Sequence, residues 1–305
     1  MQKILEALYE QHISPRLHAP MREYTTFKTG GPADLLVEPQ SIEQLIFVLR
    51  LFSREQLPFV LLGNGSNVLV TDAGIRGAVI HLGGAFAKLE EREGKIVSQA
   101  GARLSSLVIF SLNRGYVGLE FAGGIPGTVG GGVYMNAGAY GGELAPHLES
   151  TLCLDENFQL CTLTRKQMQF SYRHSIFMEQ PYIILEAHFS LSRGDTDAAR
   201  RQMQEYNARR KAKQPLEFAS AGSTFKRPPG QYAGALIQAA GLKGFSVGDA
   251  QVSQKHAGFV INRGSATSAQ LLQVIAAVQE RVYAASGVRL EREVRIIGEG
   301  AENFQ

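Results

Sequence analysis

Residues 63–67 are Gly63-Asn64-Gly65-Ser66-Asn67, and residues 123–132 are Gly123-Gly124-Ile125-Pro126-Gly127-Thr128-Val129-Gly130-Gly131-Gly132. Glycine is dense around the second stretch, with 11 glycines among the 28 residues from Gly115 to Gly142. Because glycine has no Cβ, a glycine turn lets backbone N–H groups come within hydrogen-bonding distance of a phosphate. Both stretches therefore predict anion cradles, and tight turns without a ligand are the alternative interpretation.

The composition is that of a globular protein, and its mild positive charge suits a small anionic ligand better than nucleic acid. The 305 residues are 44% hydrophobic and 19% charged, and the formal net charge of +3 is too mild to predict nucleic-acid binding. There is no run of about 18 apolar residues and no apolar signal segment, so we expect a cytoplasmic location and no membrane partner. We expect Cys153 and Cys161 to stay reduced. No metal is expected, because the histidines and cysteines lack metal-ligand spacing.

The predicted elements are mixed α and β, without internal repeats. The capping pattern Ser41-Ile42-Glu43-Gln44 opens a helix to about Phe52, between strand-like residues 35–37 and 59–62. A polar, basic helix is predicted from Asp195 to about Lys213, and we expect it to connect the two main parts of the chain. Beyond it, the patterns predict a helix near 232–240, a strand at 258–261, a long helix over 268–285 and a final strand over 289–297. In that final strand, Glu291, Glu293 and Arg295 would share one face.

The first glycine turn does not fit the nucleotide-binding fingerprint of a Rossmann dehydrogenase. It has Val68 at the position of the third glycine, and no acidic residue about twenty positions later is placed to bind a ribose. Two separate glycine turns instead favour a dinucleotide whose diphosphate is held by both turns.

Six ordered motifs resemble those of the bacterial UDP-N-acetylenolpyruvoylglucosamine reductases. They are Phe27-Lys28-Thr29-Gly30-Gly31-Pro32-Ala33, the two glycine turns, Tyr172-Arg173-His174-Ser175, Ala221-Gly222-Ser223-Thr224-Phe225-Lys226 and Leu290-Glu291-Arg292-Glu293-Val294. Together they cover nearly the whole chain. Because only 50 positions separate Arg173 from Ser223, the chain is most similar to the subgroup that lacks an inserted tyrosine-bearing loop.

The resemblance implies a flavoenzyme of peptidoglycan precursor synthesis. Members of that family bind FAD noncovalently and use NADPH to reduce the enolpyruvyl ether of UDP-N-acetylglucosamine to UDP-N-acetylmuramate. The implied fold is α+β, with a two-lobed FAD-binding fold of the vanillyl-alcohol oxidase (PCMH) type and a C-terminal α+β substrate-binding domain. We expect the first lobe over residues 1–75, the second over 76–195 and the substrate-binding domain over 196–305, with the final strand returning Glu293 to the active site.

The resemblance also assigns three catalytic residues, and each suits the implied chemistry. Hydride addition to C3 of the enol ether builds negative charge over C2 and the carboxylate. Arg173 has the rigid donor fork that stabilises such charge, and Glu293 helps to stabilise or orient the developing acid. Ser223 is the general acid that protonates C2, and it needs a nearby group that lowers the cost of losing its proton.

The remaining site residues are expected to contact the cofactor or the substrate. The FAD-binding residues are Gly63, Asn64, Gly65, Ser66, Asn67, Gly124, Ile125, Pro126, Gly127, Thr128 and Gly130. The substrate-binding residues are Lys213, Lys226, Arg227, Gln251 and His256. Arg227 stands where one subgroup of the family has asparagine, and His256 is equally explained as a packed or solvated histidine.

Two other classes of protein stay open on the sequence. Another flavin oxidoreductase of the same superfold would have the glycine turns without the ordered motifs of Arg173, Ser223 and Glu293. A noncatalytic UDP-sugar-binding protein would explain the C-terminal motifs and not the glycine turns. No expectation is formed for the oligomeric state.

Overall fold

Helices and short strands alternate along the chain, as the sequence patterns predict. The computed structural model describes residues 1–304. The α-helices are α1 (Gln2–Glu10), α2 (Ile42–Arg54), α3 (Leu104–Asn113), α4 (Val129–Tyr134), α5 (Thr196–Lys213), α6 (Ala233–Ala239) and α7 (Ser268–Ser286). Short 3-10 helices lie at Met21–Glu23, Gly84–Phe86, Glu120–Ala122, Ala145–His147, Ile176–Met178 and Ala301–Phe304.

The strands are mostly two to seven residues long. They are β1 (Arg16–Pro20), β2 (Pro32–Val37), β3 (Phe59–Leu62), β4 (Val68–Val70), β5 (Ile75–His81), β6 (Leu89–Arg92), β7 (Lys95–Gln99), β8 (Tyr116–Val117), β9 (Gly138–Ala139), β10 (Gly142–Glu143), β11 (Leu148–Leu154), β12 (Leu160–Thr164), β13 (Ile183–Phe189), β14 (Ser192–Arg193), β15 (Ser246–Val247), β16 (Ala250–Val252), β17 (Val260–Asn262) and β18 (Arg295–Ile297).

The prediction of the final strand is wrong over its first six residues, 289–294. β18 begins at Arg295, so Glu291 and Glu293 precede it and the argument that they share a strand face with Arg295 does not apply. The reason is that residues 291–293 are hydrogen-bonded elsewhere: the Lys226 N–H donates to Glu291 O (2.8 Å) and the Glu293 N–H donates to Thr224 O (2.9 Å). The strand pairs in parallel with β4 only from Arg295 onward.

The chain divides into two compact units. The first unit contains Met1–Pro15, Val37–Asn64 and Val79–Arg210, and the second contains Arg16–Leu36, Gly65–Ala78 and the residues from Lys211 onward. A four-stranded sheet has the order β1-β2-β5-β3. The expected three-domain division stays a prediction.

The first unit is built on a five-stranded antiparallel sheet of order β12-β11-β13-β7-β6. Its apolar core packs α3 and α4 with this sheet, and Leu107, Val129, Val133 and Phe189 are buried in that core. Cys153 and Cys161 lie opposite each other on β11 and β12 as free thiols, and burial raises the pKa of Cys153 to about 12.

The second unit packs α6 and α7 against the three-stranded antiparallel sheet β15-β16-β17. Helix α7 buries Leu271, Ile275, Val278 and Val282, whose spacing of three to four residues places them on one face. It ends at Ser286, and the residue that caps it, Gly287, has a left-handed φ of 70°.

Two separate caps hold the N-terminus of α7. Thr267 and Gln270 form a capping box. In addition, the two carboxylate oxygens of Asp72 accept hydrogen bonds from the N–H groups of Ser268 (2.7 Å) and Ala269 (2.9 Å). Asp72 therefore fixes the start of this helix to the turn that follows β4.

Within residues 1–304, no helix combines the length and the apolar composition that a membrane span requires. The same residues contain no cluster of three or more His, Cys, Asp or Glu side chains suited to a metal ion.

Asp72→Ala should destabilise the protein by about 1–2 kcal/mol, because it removes a charged cap from two N–H groups at a helix N-terminus. Thermal and urea unfolding followed by circular dichroism would measure this. Glu280→Ala is the matched control, since Glu280 is an exposed carboxylate of α7 outside the first turn. Equal melting of the two variants would contradict the assigned cap.

Candidate active site

The two glycine turns adjoin each other within the first unit. The side-chain amide of Asn64 donates to the carbonyl of Pro126. A Cβ on Gly63 would lie 2.4 Å from Thr128 Oγ1, so only glycine allows this approach. The sequence predicted that both turns serve one ligand, and the structure places Gly63 and Asn64 directly against residues 126–128.

Donor groups along these turns are uncommitted. Among residues 1–304, the peptide N–H groups of Asn64, Gly127 and Thr128 have no protein acceptor. Peptide N–H groups without an internal partner are suited to hydrogen-bonding a diphosphate. The residues present therefore fit the diphosphate of a dinucleotide such as FAD.

Other residues of the second turn have their own structural reasons for being glycine. Gly130 donates its N–H to Ala100 O (2.8 Å), and a Cβ on Gly130 would lie 2.8 Å from Ala100 Cβ. A Cβ on Gly124 would lie 2.5 Å from Asn207 Oδ1 and 3.2 Å from Arg210 Cδ, so Gly124 allows close packing of α5. Burial lowers the pKa of the Arg210 guanidinium, which stays charged at neutral pH.

Arg173 is held in a strained turn of the first unit. Ser171 and His174 exchange backbone hydrogen bonds (3.1 and 3.2 Å), which leaves Tyr172 and Arg173 at the two central positions. Arg173 has a φ of 55°, a left-handed conformation that costs a side-chain-bearing residue about 1–2 kcal/mol. Its guanidinium donates to the carbonyls of Asn136 (3.4 Å) and Gly138 (2.8 Å).

Asn136 is a structural support that the sequence analysis missed. It is fully buried, and its Oδ1 accepts from the Ala145 N–H while its Nδ2 donates to Ser171 O, both at 3.0 Å. Asn136 therefore fastens the Arg173 turn to the chain after the second glycine turn. Its φ of 45° is a conformation that asparagine adopts more readily than most residues, and an asparagine just before Ala-Gly was the only sequence signal.

The second unit holds the rest of the first glycine turn. Gly65 has a φ of 56°, and a Cβ there would lie 2.1 Å from Tyr24 O, so any side chain would disrupt the turn itself. Asn67 donates its side-chain amide to Glu293 O (3.0 Å), and its own carbonyl accepts from the Arg295 N–H (3.0 Å). Ser66 is half-buried beside it. The predicted FAD contacts of these residues stay predictions.

Ser223 and Glu293 lie on two segments that are hydrogen-bonded to each other. The Glu293 N–H donates to Thr224 O (2.9 Å), and Phe225 and Arg292 form an antiparallel bridge. Ser223 is exposed, whereas Thr224 beside it is buried. The second unit thus brings the predicted proton donor and the predicted glutamate into adjoining segments.

The predicted substrate-binding side chains are also placed in the second unit. Lys226 forms an ion pair with Glu291 (2.5 Å), and the Arg227 guanidinium lies 3.8 Å from the centroid of the Tyr232 ring. Lys213 is exposed at the end of α5. Gln251, on β16, donates to Gly244 O (3.2 Å).

His256 is a half-buried neutral donor. Burial lowers the pKa of its imidazole, and the positive charges of Lys243 and Lys213 lower it further. The Gly258 N–H donates to Nδ1 (3.1 Å), which leaves the proton of the neutral ring on Nε2. The ring also packs edge-on against Phe259.

Family models and relatives match most of the chain. A family model described as an FAD binding domain matches residues 33–157, and a model described as UDP-N-acetylenolpyruvoylglucosamine reductase, C-terminal domain, matches residues 214–297. A UDP-N-acetylenolpyruvoylglucosamine reductase of Caldanaerobacter subterraneus subsp. tengcongensis is 48% identical over 93% of this chain and 93% of its own length. The chain belongs to the UDP-N-acetylenolpyruvoylglucosamine reductase family.

Two further relatives extend the match over almost the whole chain. The UDP-N-acetylenolpyruvoylglucosamine reductase of Listeria innocua serovar 6a is 46% identical over 94% of this chain and 96% of its own. The crystal structure of the Thermus caldophilus reductase superposes with a TM-score of 0.80 at 35% identity, covering 93% of this chain and 98% of that one. The predicted family, the α+β fold class and the FAD cofactor are confirmed, and the chain is an FAD-dependent oxidoreductase.

Arg173→Gly should be more stable than Arg173→Ala by about 1 kcal/mol, because glycine adopts the left-handed φ of this turn without the Cβ strain that alanine retains. Urea unfolding of the two variants, each compared with the wild type, would measure the difference. Both substitutions remove the guanidinium, so the difference in stability between them reports the strain of the backbone at this position. A glycine variant that is less stable than the alanine variant would contradict the strained turn.

Proposed function

We propose that this protein catalyses the NADPH-dependent reduction of the enolpyruvyl ether of UDP-N-acetylglucosamine to UDP-N-acetylmuramate through noncovalently bound FAD, in peptidoglycan precursor synthesis. One observation carries the proposal beyond family membership. The exposed Ser223 hydroxyl and Glu293 belong to segments joined by the Glu293–Thr224 backbone hydrogen bond. An alcohol donor and a carboxylate so arranged suit a reaction that ends in proton transfer to carbon.

FAD is proposed to bind through its diphosphate at the glycine turns. The uncommitted N–H groups of Asn64, Gly127 and Thr128 support this role. Gly63, Gly124 and Gly130 act by allowing the close packing that shapes the turns, and Gly65, Ser66, Asn67, Ile125 and Pro126 complete the proposed set. When bound, the reduced flavin supplies the hydride that C3 of the enolpyruvyl group receives.

Arg173 is proposed to stabilise the negative charge that develops over C2 and the substrate carboxylate. Its guanidinium is a permanent cation with a planar set of donors, and two of its N–H directions are already fixed by Asn136 O and Gly138 O. A donor held in place before the reaction spends no free energy on reorganisation when the charge appears. The strain of the Arg173 turn is consistent with selection for position over stability.

Ser223 is proposed to deliver the proton to C2. An isolated hydroxyl is a weak acid, so its proton loss requires nearby positive charge or a hydrogen-bonded relay. Lys226 is three residues away on the same segment, and its ion pair with an exposed glutamate is the kind that contributes little free energy and is readily exchanged for a substrate anion. Glu293 is proposed to orient the substrate acid as charge develops.

The remaining predicted residues are proposed to bind the nucleotide-sugar. Lys213 and Arg227 are exposed cations suited to the substrate diphosphate, and neutral His256 offers a single N–H donor from Nε2. Gln251 contributes its amide. The substrate and NADPH are both small anionic metabolites of the cytoplasm, and we propose that the reaction occurs there. We also propose three domains, over residues 1–75, 76–195 and 196–305.

Gly127→Val should weaken FAD binding at least tenfold, because its side chain would occupy the space that a phosphate needs beside the Gly127 and Thr128 N–H groups. Gly127 does not have a positive φ, so valine there does not incur left-handed backbone strain. The flavin content of purified protein and a titration of apoprotein with FAD would measure the loss. Gly84→Val is the matched control, since a Cβ on Gly84 meets nothing within 4 Å. Full flavin occupancy in folded Gly127→Val would remove this turn from the FAD site.

Ser223→Ala should lower turnover by about 10²–10⁴-fold while leaving reduction of the flavin by NADPH intact, because the hydroxyl is needed only when C2 is protonated. Stopped-flow absorbance of the flavin would separate the two half-reactions. Ser246→Ala, at an exposed serine of the same unit, is the control. Wild-type turnover of Ser223→Ala would show that another group is the acid.

A further inference from the structure

Thr224, next to Ser223, is a buried residue whose N–H, carbonyl and Oγ1 each make a hydrogen bond. Its side chain is 1% exposed. Its N–H donates to Gly258 O, its carbonyl accepts from the Glu293 N–H, and its Oγ1 accepts from the Val260 N–H, each at 2.9 Å. Buried hydrogen bonds favour one local arrangement, since breaking any of them leaves an unpaired polar group in the interior. Thr224 therefore joins three segments of the second unit.

Ser223 is exposed, whereas Thr224 beside it is buried with its Oγ1 held on the Val260 N–H. Because the two residues are covalently joined, anchoring Thr224 restricts where the Ser223 side chain can lie. On the other side of Ser223, a Cβ on Gly222 would meet nothing within 4 Å.

Both backbone polar groups of Glu293, its N–H and its carbonyl, are hydrogen-bonded. Its N–H donates to Thr224 O, and its carbonyl accepts from the Asn67 side chain (3.0 Å). A shift of Thr224 would therefore move both Ser223, through the chain, and Glu293, through this hydrogen bond.

We propose that Thr224 is a positioning residue, which sets the Ser223 hydroxyl and the Glu293 carboxylate relative to each other through its Oγ1 hydrogen bond to Val260. The inference rests on the proposed function and adds a determinant to it. Thr224 itself is buried and contacts neither substrate nor cofactor in this role. Misplacement of a reacting group by about 1 Å costs on the order of 10²-fold in rate, so loss of this anchor should act mainly on the proton-transfer half of the reaction.

The test compares Thr224→Val with Thr224→Ser. Valine keeps the shape of threonine and leaves the buried Val260 N–H without an acceptor, whereas serine keeps the acceptor and loses only the methyl group. Thr29→Val is the matched control, because Thr29 is a buried threonine of the same unit whose Oγ1 donates to Ala266 O (2.7 Å). Each variant, as holoenzyme, is reduced anaerobically with NADPH and then mixed with UDP-N-acetylglucosamine enolpyruvate in H₂O and in D₂O.

In Thr224→Val, we expect flavin reoxidation by substrate to slow by about 10- to 100-fold with a larger solvent isotope effect, while flavin reduction and the substrate Kd change less than about threefold. Thr224→Ser should restore reoxidation to within about threefold of the wild type. Thr29→Val should lower the melting temperature without this selective effect. If Thr224→Val does not fold, Thr224→Ala against Thr224→Ser makes the same comparison.

Two results would overturn the proposal. One is an unchanged rate of reoxidation and isotope effect in Thr224→Val. The other is an equal loss in Thr224→Ser and Thr224→Val, which would assign Thr224 to packing alone. Failure of the proposed function is distinguishable, because it would appear as wild-type reduced flavin that the enolpyruvyl substrate does not reoxidise.

Discussion

The backbone hydrogen bond from Glu293 N–H to Thr224 O is the contact on which the proposed arrangement of Ser223 and Glu293 in the second unit depends. It joins the segment after Ser223 to the segment before β18. The same bond delays the start of β18 to Arg295, because residues 291–293 are already paired with residues 224–226. A short final strand is thus the consequence of using its preceding residues to fix the position of a carboxylate.

In the first unit, some backbone N–H groups likewise take no part in helices or sheets. The N–H groups of Asn64, Gly127 and Thr128 remain available because the turns are supported by other contacts, such as the Asn64 side chain on Pro126 O. Arg173 occupies a left-handed position that glycine would fill at lower cost. Both features cost stability locally, and both place a donor where an anionic group can be bound.

Much of the fold and of the candidate site could be predicted from the sequence, because it follows from short-range sequence patterns. Glycine density indicated the two turns, and the capping residue Ser41 and apolar periodicity predicted helices that the structure has as α2 and α7. The ordered motifs predicted the family. The prediction of the final strand was wrong because alternating residue types cannot show that the backbone of Glu291 and Glu293 is hydrogen-bonded to a segment some 65 residues earlier. Asn136 and Thr224 were missed for the same reason: their roles come from partners distant in sequence.

The most direct test of the central claim is the visible spectrum of the holoenzyme during a single anaerobic cycle. NADPH should bleach the flavin absorbance, and stoichiometric UDP-N-acetylglucosamine enolpyruvate should then restore it with formation of UDP-N-acetylmuramate, identified by mass spectrometry. Flavin that stays bleached until oxygen is admitted, with the enolpyruvyl compound recovered unchanged, would contradict the account.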